Sequence, residues 1–324
     1  MNAKYNIRIA GMSAVVPKEI IDNEQTAINN SYLQKVIKMT GVRRRHKIPL
    51  QNSMLMDYAV RAAEIAINKA QVDKNRIKFL VYLTQTPDYE GPSTALPIQK
   101  QLGISTDCMA FDVNLGCTGF VAGIQIVSSM LYTCFEEDAV GLVIIADRLA
   151  LEPRENQNDA VLFGDAATAT ILCKDNKNEI NIRYSSDGNR YHYICKKKGD
   201  EKSFMDGDAV FQFSISEVPD YISQFMKDNN IEQDNIDYFI AHQAQDFIIK
   251  HIAKKINITK NKLLFSLNEY GNTSGSSIPM TLCANKETLK EKSKILGAGF
   301  GVGLAWGIIF FEIENDVITE VYEM

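Results

Sequence analysis

Short apolar runs with strand character alternate along the chain with amphipathic segments of helix length. Ile7–Val16, Phe79–Thr84, Ala110–Asn114, Gly141–Ala146 and Ala169–Cys173 read as strands. Met56–Lys69 reads as a helix that lines up Tyr58, Ala62, Ile65 and Ala66 on one face. Buried strands spaced by helices belong to α/β folds. A polar stretch, Lys174–Glu179 (KDNKNE), interrupts the pattern. The alternation then returns at Ile182–Ser186, Tyr238–Ala241, Leu263–Ser266, Ile295–Gly299 and Gly307–Ile313. Two α/β halves are therefore expected, residues 1–174 and 175–324, with the character of an internal duplication.

Composition narrows the function classes. The 324 residues are 45% hydrophobic and 23% charged, the balance of a globular protein with a sizeable core. The formal charge of −5 argues against nucleic acid and anionic membrane as partners. No apolar run reaches the roughly 18 residues that a membrane helix needs. The first strand is expected by about Asn6, which leaves no room for a leader. Six cysteines (Cys108, Cys117, Cys134, Cys173, Cys195, Cys283) show neither CxxC pairs nor zinc-ligand spacing. The expectation is a reduced, cytoplasmic protein with no metal and no cofactor.

The segment Phe111–Met130, FDVNLGCTGFVAGIQIVSSM, carries the strongest chemical signal. A strand runs through Gly116 into Cys117 and then into a helix that is apolar almost all round. Such an elbow places the thiol at the positive end of a helix, where a thiolate is favoured and a backbone N–H can meet an oxyanion. Cys117 is thus the candidate nucleophile. Of four histidines, His242 alone ends an apolar strand (YFIAHQA), and strand ends are where α/β folds collect catalytic groups. Asn272, in NEYGNTSGSSIP, is a neutral donor able to hold an oxygen that becomes negative. The Gly-rich run GAGFGVGLAWG (297–307) lacks the GxGxxG spacing of a dinucleotide loop and reads as close backbone packing.

Seven segments in order, MTGVRRRH, NLGCTGF, LFGDAATA, MDGDAVF, HQA, GNTSGSSIP and GFGVGLAWG, resemble the thiolase superfamily and within it the 3-oxoacyl-(acyl carrier protein) synthase III type. The resemblance implies a five-layered αβαβα fold built from two duplicated halves, and a homodimer. It implies that Cys117 accepts an acyl group from a thioester. His242 and Asn272 would then hold a malonyl thioester while carbon dioxide leaves, and the carbanion would attack the acyl-cysteine. Backbone N–H groups of Cys117 and Val302 would form the oxyanion hole. Thr40, Gly207, Phe211 and Ala244 match positions that line the pantetheine tunnel. Asn272 stands where elongating synthases have a second histidine, and Gln85 where hydroxymethylglutaryl synthases have a basic glutamate. Asp165 is expected to tie backbone amides, and Arg43 and Arg45 to pair with carboxylates.

The chain also departs from that family. Lys35, Met39 and Leu151 stand where an ungapped comparison expects the tryptophan and arginines around the adenine of coenzyme A. Delivery of the acyl group on an acyl carrier protein, rather than on coenzyme A, is the resulting expectation. Gln245 and Phe247 alter the histidine motif. Beyond them Lys250, Lys254 and Lys255, with His251, form a basic strip that suits an acidic carrier. Gly91 replaces the phenylalanine with which a partner subunit closes the acyl pocket, implying a more open pocket. Two rival readings remain: an acyltransferase on the same fold that forms an ester or amide, and a non-catalytic partner of a heterodimeric synthase.

Overall fold

The structure, a computed structural model, describes residues 2–49, 51, 53–154 and 161–324. Two sheets organise it. The first has the lateral order Ile318–Glu323, Ile7–Val16, Ala166–Lys174, Val140–Asp147, Ile77–Leu83, Met109–Val113. The second has the order Asn2–Tyr5, Ile180–Ser186, Ala305–Glu314, Lys292–Gly301, Tyr238–Ala241. The chain ends are exchanged: the first strand completes the second sheet, and the last strand completes the first.

Helices Gly119–Thr133 and Ser277–Ala284 each touch strands of both sheets and form the middle layer. This explains the apolar circumference of Gly119–Thr133, since a helix between two sheets has no wet face. Leu55–Ala70 and Ala95–Leu102 cover the outer face of the first sheet. Gly207–Asp228 and Asp246–Lys255 cover the second. The result is the expected five-layered αβαβα α/β architecture, with one apolar cluster around the middle helices and one under each outer helix layer.

The expected strands are present, as long as read or longer by up to five residues. Leu263–Ser266 is the exception. Only Leu263 bridges Phe239, because the Ser266 N–H turns away to the buried Gln243 Oε1 at 3.0 Å. The Cys117 and His242 strands do not occupy matching places: counted from the strands that the chain ends supply, Tyr238–Ala241 corresponds to Ile77–Leu83, and the parallel Leu263 bridge beside it corresponds to Met109–Val113. Met109–Val113 and Tyr238–Ala241 are each the outermost strand of a sheet, and each runs parallel to its neighbour. Among the described residues no helix is long and apolar enough to cross a membrane.

Candidate active site

A cavity of about 260 Å³ opens where the two sheets meet. Cys117, His242, Asn272 and Val302 line it, together with Gly207, Phe211 and Ala244. Each reactive residue is held by backbone geometry. Cys117 precedes the first turn of Gly119–Thr133, and the Gly119 N–H donates back to the Gly116 carbonyl at 2.6 Å. His242 continues its strand, its N–H donating to the Ala298 carbonyl at 2.7 Å. Asn272 is pinned to the first half: its N–H donates to the Leu162 carbonyl at 2.8 Å, and its carbonyl accepts from Gly164 at 3.1 Å. The run 297–307 then closes over the thiol. Gly301 has φ +152°, and a Cβ built there would sit 2.7 Å from the Cys117 Sγ. Only glycine lets the backbone pass so close.

Hydrogen bonds settle which atoms face the cavity. The Ser277 hydroxyl donates to the Ser274 carbonyl at 2.8 Å, so its oxygen accepts from His242 Nδ1–H at 3.0 Å. That tautomer leaves Nε2 with a lone pair. Asn272 Oδ1 accepts from the Ser274 N–H at 2.9 Å, which turns Nδ2 outward to 3.4 Å from His242 Nε2. A proton acceptor and an amide donor therefore stand side by side.

The resting charges differ from the sequence expectation. Burial pushes the Cys117 thiol up to about 11, although the N–H groups of Val302 and of Cys117 itself pull the other way. The helix end does not outweigh desolvation, so the free enzyme holds a thiol and not a thiolate. Burial likewise lowers His242 to about 4. Both shifts favour the neutral thiol and imidazole over a resting thiolate–imidazolium pair. Proton transfer has to accompany bond formation at sulfur.

Several residues lie elsewhere than expected. Thr40 does not line the cavity. It ends the helix Ser31–Thr40, is buried, and bonds the Ile37 carbonyl of its own helix at 3.3 Å. Among the described residues Arg45 pairs with no carboxylate but donates to Asn23 Oδ1 at 3.0 Å and to the carbonyls of Ala150 and Phe163. Arg43 does pair, with Glu24 at 3.0 Å. Asp165 ties the amides of Ile48, Leu149 and Ala150. Gly91 stands in an exposed loop with nothing near its Cα hydrogens and outside this chain's own cavity. Lys250, Lys254 and Lys255 are exposed on Asp246–Lys255, with Lys250 held by Asp246 at 2.5 Å. Gln245 and Ile248, from the start of that helix, line the cavity, so the strip leads away from its mouth.

Sequence reasoning passed over Asp147 and Ser274. Asp147 ends the strand Val140–Asp147 and is buried, its Oδ1 accepting from the Gln85 N–H at 2.7 Å. Burial raises it to about 6, against hydrogen bonds from Gln85, Ser274 and Thr84 that lower it. The only signal was an acid closing an otherwise apolar strand.

Comparison with known proteins agrees with this geometry. Residues 111–188 match the family described as 3-Oxoacyl-[acyl-carrier-protein (ACP)] synthase III, and residues 226–313 match its C-terminal part. A beta-ketoacyl-[acyl-carrier-protein] synthase III of Clostridium botulinum (strain Loch Maree / Type A3) is 33% identical, covering 93% of this chain and 97% of its own. The Ehrlichia ruminantium (strain Gardel) protein of that name is 30% identical over the same shares. The crystal structure of a 3-oxoacyl-(acyl-carrier protein) synthase from Burkholderia xenovorans LB400 superposes with a TM-score of 0.93 at 28% identity. It covers 100% of this chain and 99% of that one. With the cysteine elbow, the strand-end histidine and the pinned asparagine all present, the chain belongs to the 3-oxoacyl-(acyl carrier protein) synthase III family of condensing enzymes.

Proposed function

We propose that the chain loads an acyl group on Cys117 and condenses it with a malonyl thioester, releasing carbon dioxide and a 3-oxoacyl thioester. The observation that carries this reading is the convergence of Cys117, His242 and Asn272 on one cavity, with the imidazole lone pair and the amide N–H facing it. In the first half, His242 Nε2 takes the thiol proton as sulfur attacks the thioester carbonyl, and passes it to the departing thiolate. The N–H groups of Cys117 and Val302, which already act on the sulfur, meet the oxyanion.

In the second half the malonyl carboxylate enters a buried space, and its charge raises the proton affinity of His242. Nε2 takes up a proton and joins Asn272 Nδ2 in donating to the thioester oxygen. As carbon dioxide leaves, that oxygen becomes an enolate held by two donors. The carbanion attacks the acyl-cysteine, and the expelled Cys117 thiolate recovers its proton from His242. An acyltransferase to oxygen or nitrogen has no malonyl carbonyl for Asn272 to hold.

Three further features belong to this reading. Lys35, Met39 and Leu151, all exposed, offer no aromatic or guanidinium stack for an adenine, and the exposed basic strip Lys250, Lys254, Lys255 suits acyl groups arriving on an acyl carrier protein. Gly91 suits a pocket open to larger or branched acyl groups. The site is shared, with residues 1–174 supplying the thiol and residues 175–324 supplying the histidine and asparagine.

Intact-mass measurement after exposure to acyl thioesters, presented on coenzyme A and on carrier protein, tests the proposal. Cys117 should gain one acyl group, Cys117→Ala should gain none, and added malonyl carrier should discharge the adduct as a 3-oxoacyl product. Loading preferred from the carrier supports the docking assignment. Equal loading from coenzyme A rejects it. The absence of any adduct rejects the condensing reading.

A further inference from the structure

Ser274 is completely buried and holds φ at +53°. For a residue with a side chain this left-handed conformation costs about 1 kcal/mol or more, and such strain collects at functional sites. Glycine would adopt it freely, so the serine side chain itself needs a reason.

All its polar groups are engaged. The N–H donates to Asn272 Oδ1 at 2.9 Å, the carbonyl accepts from Ser277 Oγ at 2.8 Å, and the hydroxyl oxygen accepts from Gln85 Nε2 at 3.0 Å. Ser277 in turn accepts from His242 Nδ1 at 3.0 Å. Behind Gln85 stands the buried Asp147, which takes its backbone N–H at 2.7 Å. The same side chain underlies the nucleophile: a Cβ on Gly116 would sit 2.6 Å from Gln85 Nε2. Gly275 presses on the elbow from the other side, where a Cβ would lie 2.8 Å from the Gly116 carbonyl. One serine thus links the amide plane of Asn272, the tautomer of His242 and the turn that carries Cys117.

We propose that Ser274 is a positioning residue for the decarboxylating half-reaction, clamped from the first sheet by Gln85 and Asp147 so that Asn272 Nδ2 and His242 Nε2 both face the substrate. The proposal rests on the assignment of Cys117, His242 and Asn272 made above. The strained backbone is retained because a side chain at this position gives Gln85 a hold on the residue that fixes the Asn272 amide, while Ser276, two residues on, is tied separately to the Ile145 carbonyl and to Thr168. The clamp acts mainly in the second half, where Asn272 enters the reaction.

Ser274→Gly removes that hold while keeping the N–H and carbonyl and relieving the left-handed strain. Gln85→Leu removes the hold from the other end. Rates of Cys117 acylation and of malonyl-dependent discharge are read separately by rapid-quench mass measurement, with thermal midpoints beside them. In each variant the ratio of discharge to acylation should fall about tenfold or more, the scale of a small misplacement of catalytic groups. The midpoint of Ser274→Gly should equal or exceed that of the wild type. The double variant should be little worse than Ser274→Gly alone, because the glycine already removes the hydroxyl that Gln85 holds. An unchanged ratio, or a parallel loss of both rates with a lowered midpoint, overturns the proposal. A wild-type enzyme that never acylates would instead overturn the underlying assignment, which keeps the two failures distinct.

Discussion

Two buried titratable groups of opposite character, Asp147 and His242, stand on either side of Ser274. Burial raises Asp147 to about 6 and lowers His242 to about 4. In an unfolded chain they would titrate near ~3.9 and ~6.5. Asp147 therefore contributes stability that is fully present below about pH 4 and is lost as pH rises through about 6. His242 contributes stability that is fully present above about pH 6.5 and is lost as pH falls through about 4. Over the shared window the two slopes oppose each other. Asp147→Asn keeps an oxygen for the Gln85 N–H but removes one slope. Its urea midpoint should then drop on acidification from pH 6.5 to 5, by about 1 kcal/mol of stability per pH unit beyond the wild type. Parallel wild-type and variant profiles would show that Asp147 does not titrate in this window. At this scale the three residues that meet in the cavity were legible from chain position, because a strand end or a glycine-flanked turn is a local pattern. Asp147 and Ser274 were not. An acid closing a strand and a serine among small residues are ordinary locally, and their importance comes from Gln85, which lies 189 positions from Ser274. The resting thiol was equally hidden, since it depends on how deeply both halves bury the sulfur.

Among the secondary elements, buried strands were easy to read because β-branched and aliphatic runs bounded by turns have few alternatives. The short edge strands Asn2–Tyr5 and Ile318–Glu323 were missed. Both are polar and half-exposed, and each joins the sheet of the other half, a pairing that no local pattern encodes. The glycine-rich run 297–307 was read correctly as close packing, and the structure shows against what. It forms the end of the strand Lys292–Gly301 and the turn into Ala305–Glu314, laid across the nucleophile elbow. Gly301→Ala would put a methyl group 2.7 Å from the Cys117 Sγ, on a backbone with φ +152°. Either the sulfur leaves its place or the strand end lifts away. We expect a stability loss of about 1–3 kcal/mol, the usual result of overpacking. Alkylation of Cys117 by iodoacetamide should slow about tenfold or more, read by mass. Fast alkylation with intact stability would mean that the run does not shape the thiol pocket.

For the whole molecule, the two open edges of the first sheet are built differently. Ile318–Glu323 carries Glu320 and Glu323 on exposed positions, the kind of charge that discourages pairing with another strand. Met109–Val113, MAFDV, carries one acid, and Asp112 is occupied with the amides of Thr94 and Ala95 at 2.6 and 2.8 Å. The rest of that strand is apolar, yet no position in it is buried, and Met109 is 60% exposed. Its neighbour Ile77–Leu83, in contrast, is mostly buried. An apolar outermost strand without guarding charges asks for a partner, and a second copy of the same strand can supply one across a two-fold axis. The outermost strand of the second sheet on that side, Tyr238–Ala241, is already covered, being buried at every position and bridged at Phe239 by Leu263. The homodimer implied by the family resemblance should therefore close through Met109–Val113, joining the first sheets of two copies. Light scattering should give twice the 36.3 kDa chain mass at micromolar concentration. Met109→Asp, at a position exposed enough to leave the fold intact, should weaken the dimer toward monomer. A wild-type monomer would reject the association, and a dimer unmoved by Met109→Asp would place the seam on another face. If the seam is here, the loop bearing Gly91, which follows Ile77–Leu83 on the same side, is carried to the subunit boundary. Acyl-chain selectivity would then be a property of the pair and would weaken along with the dimer.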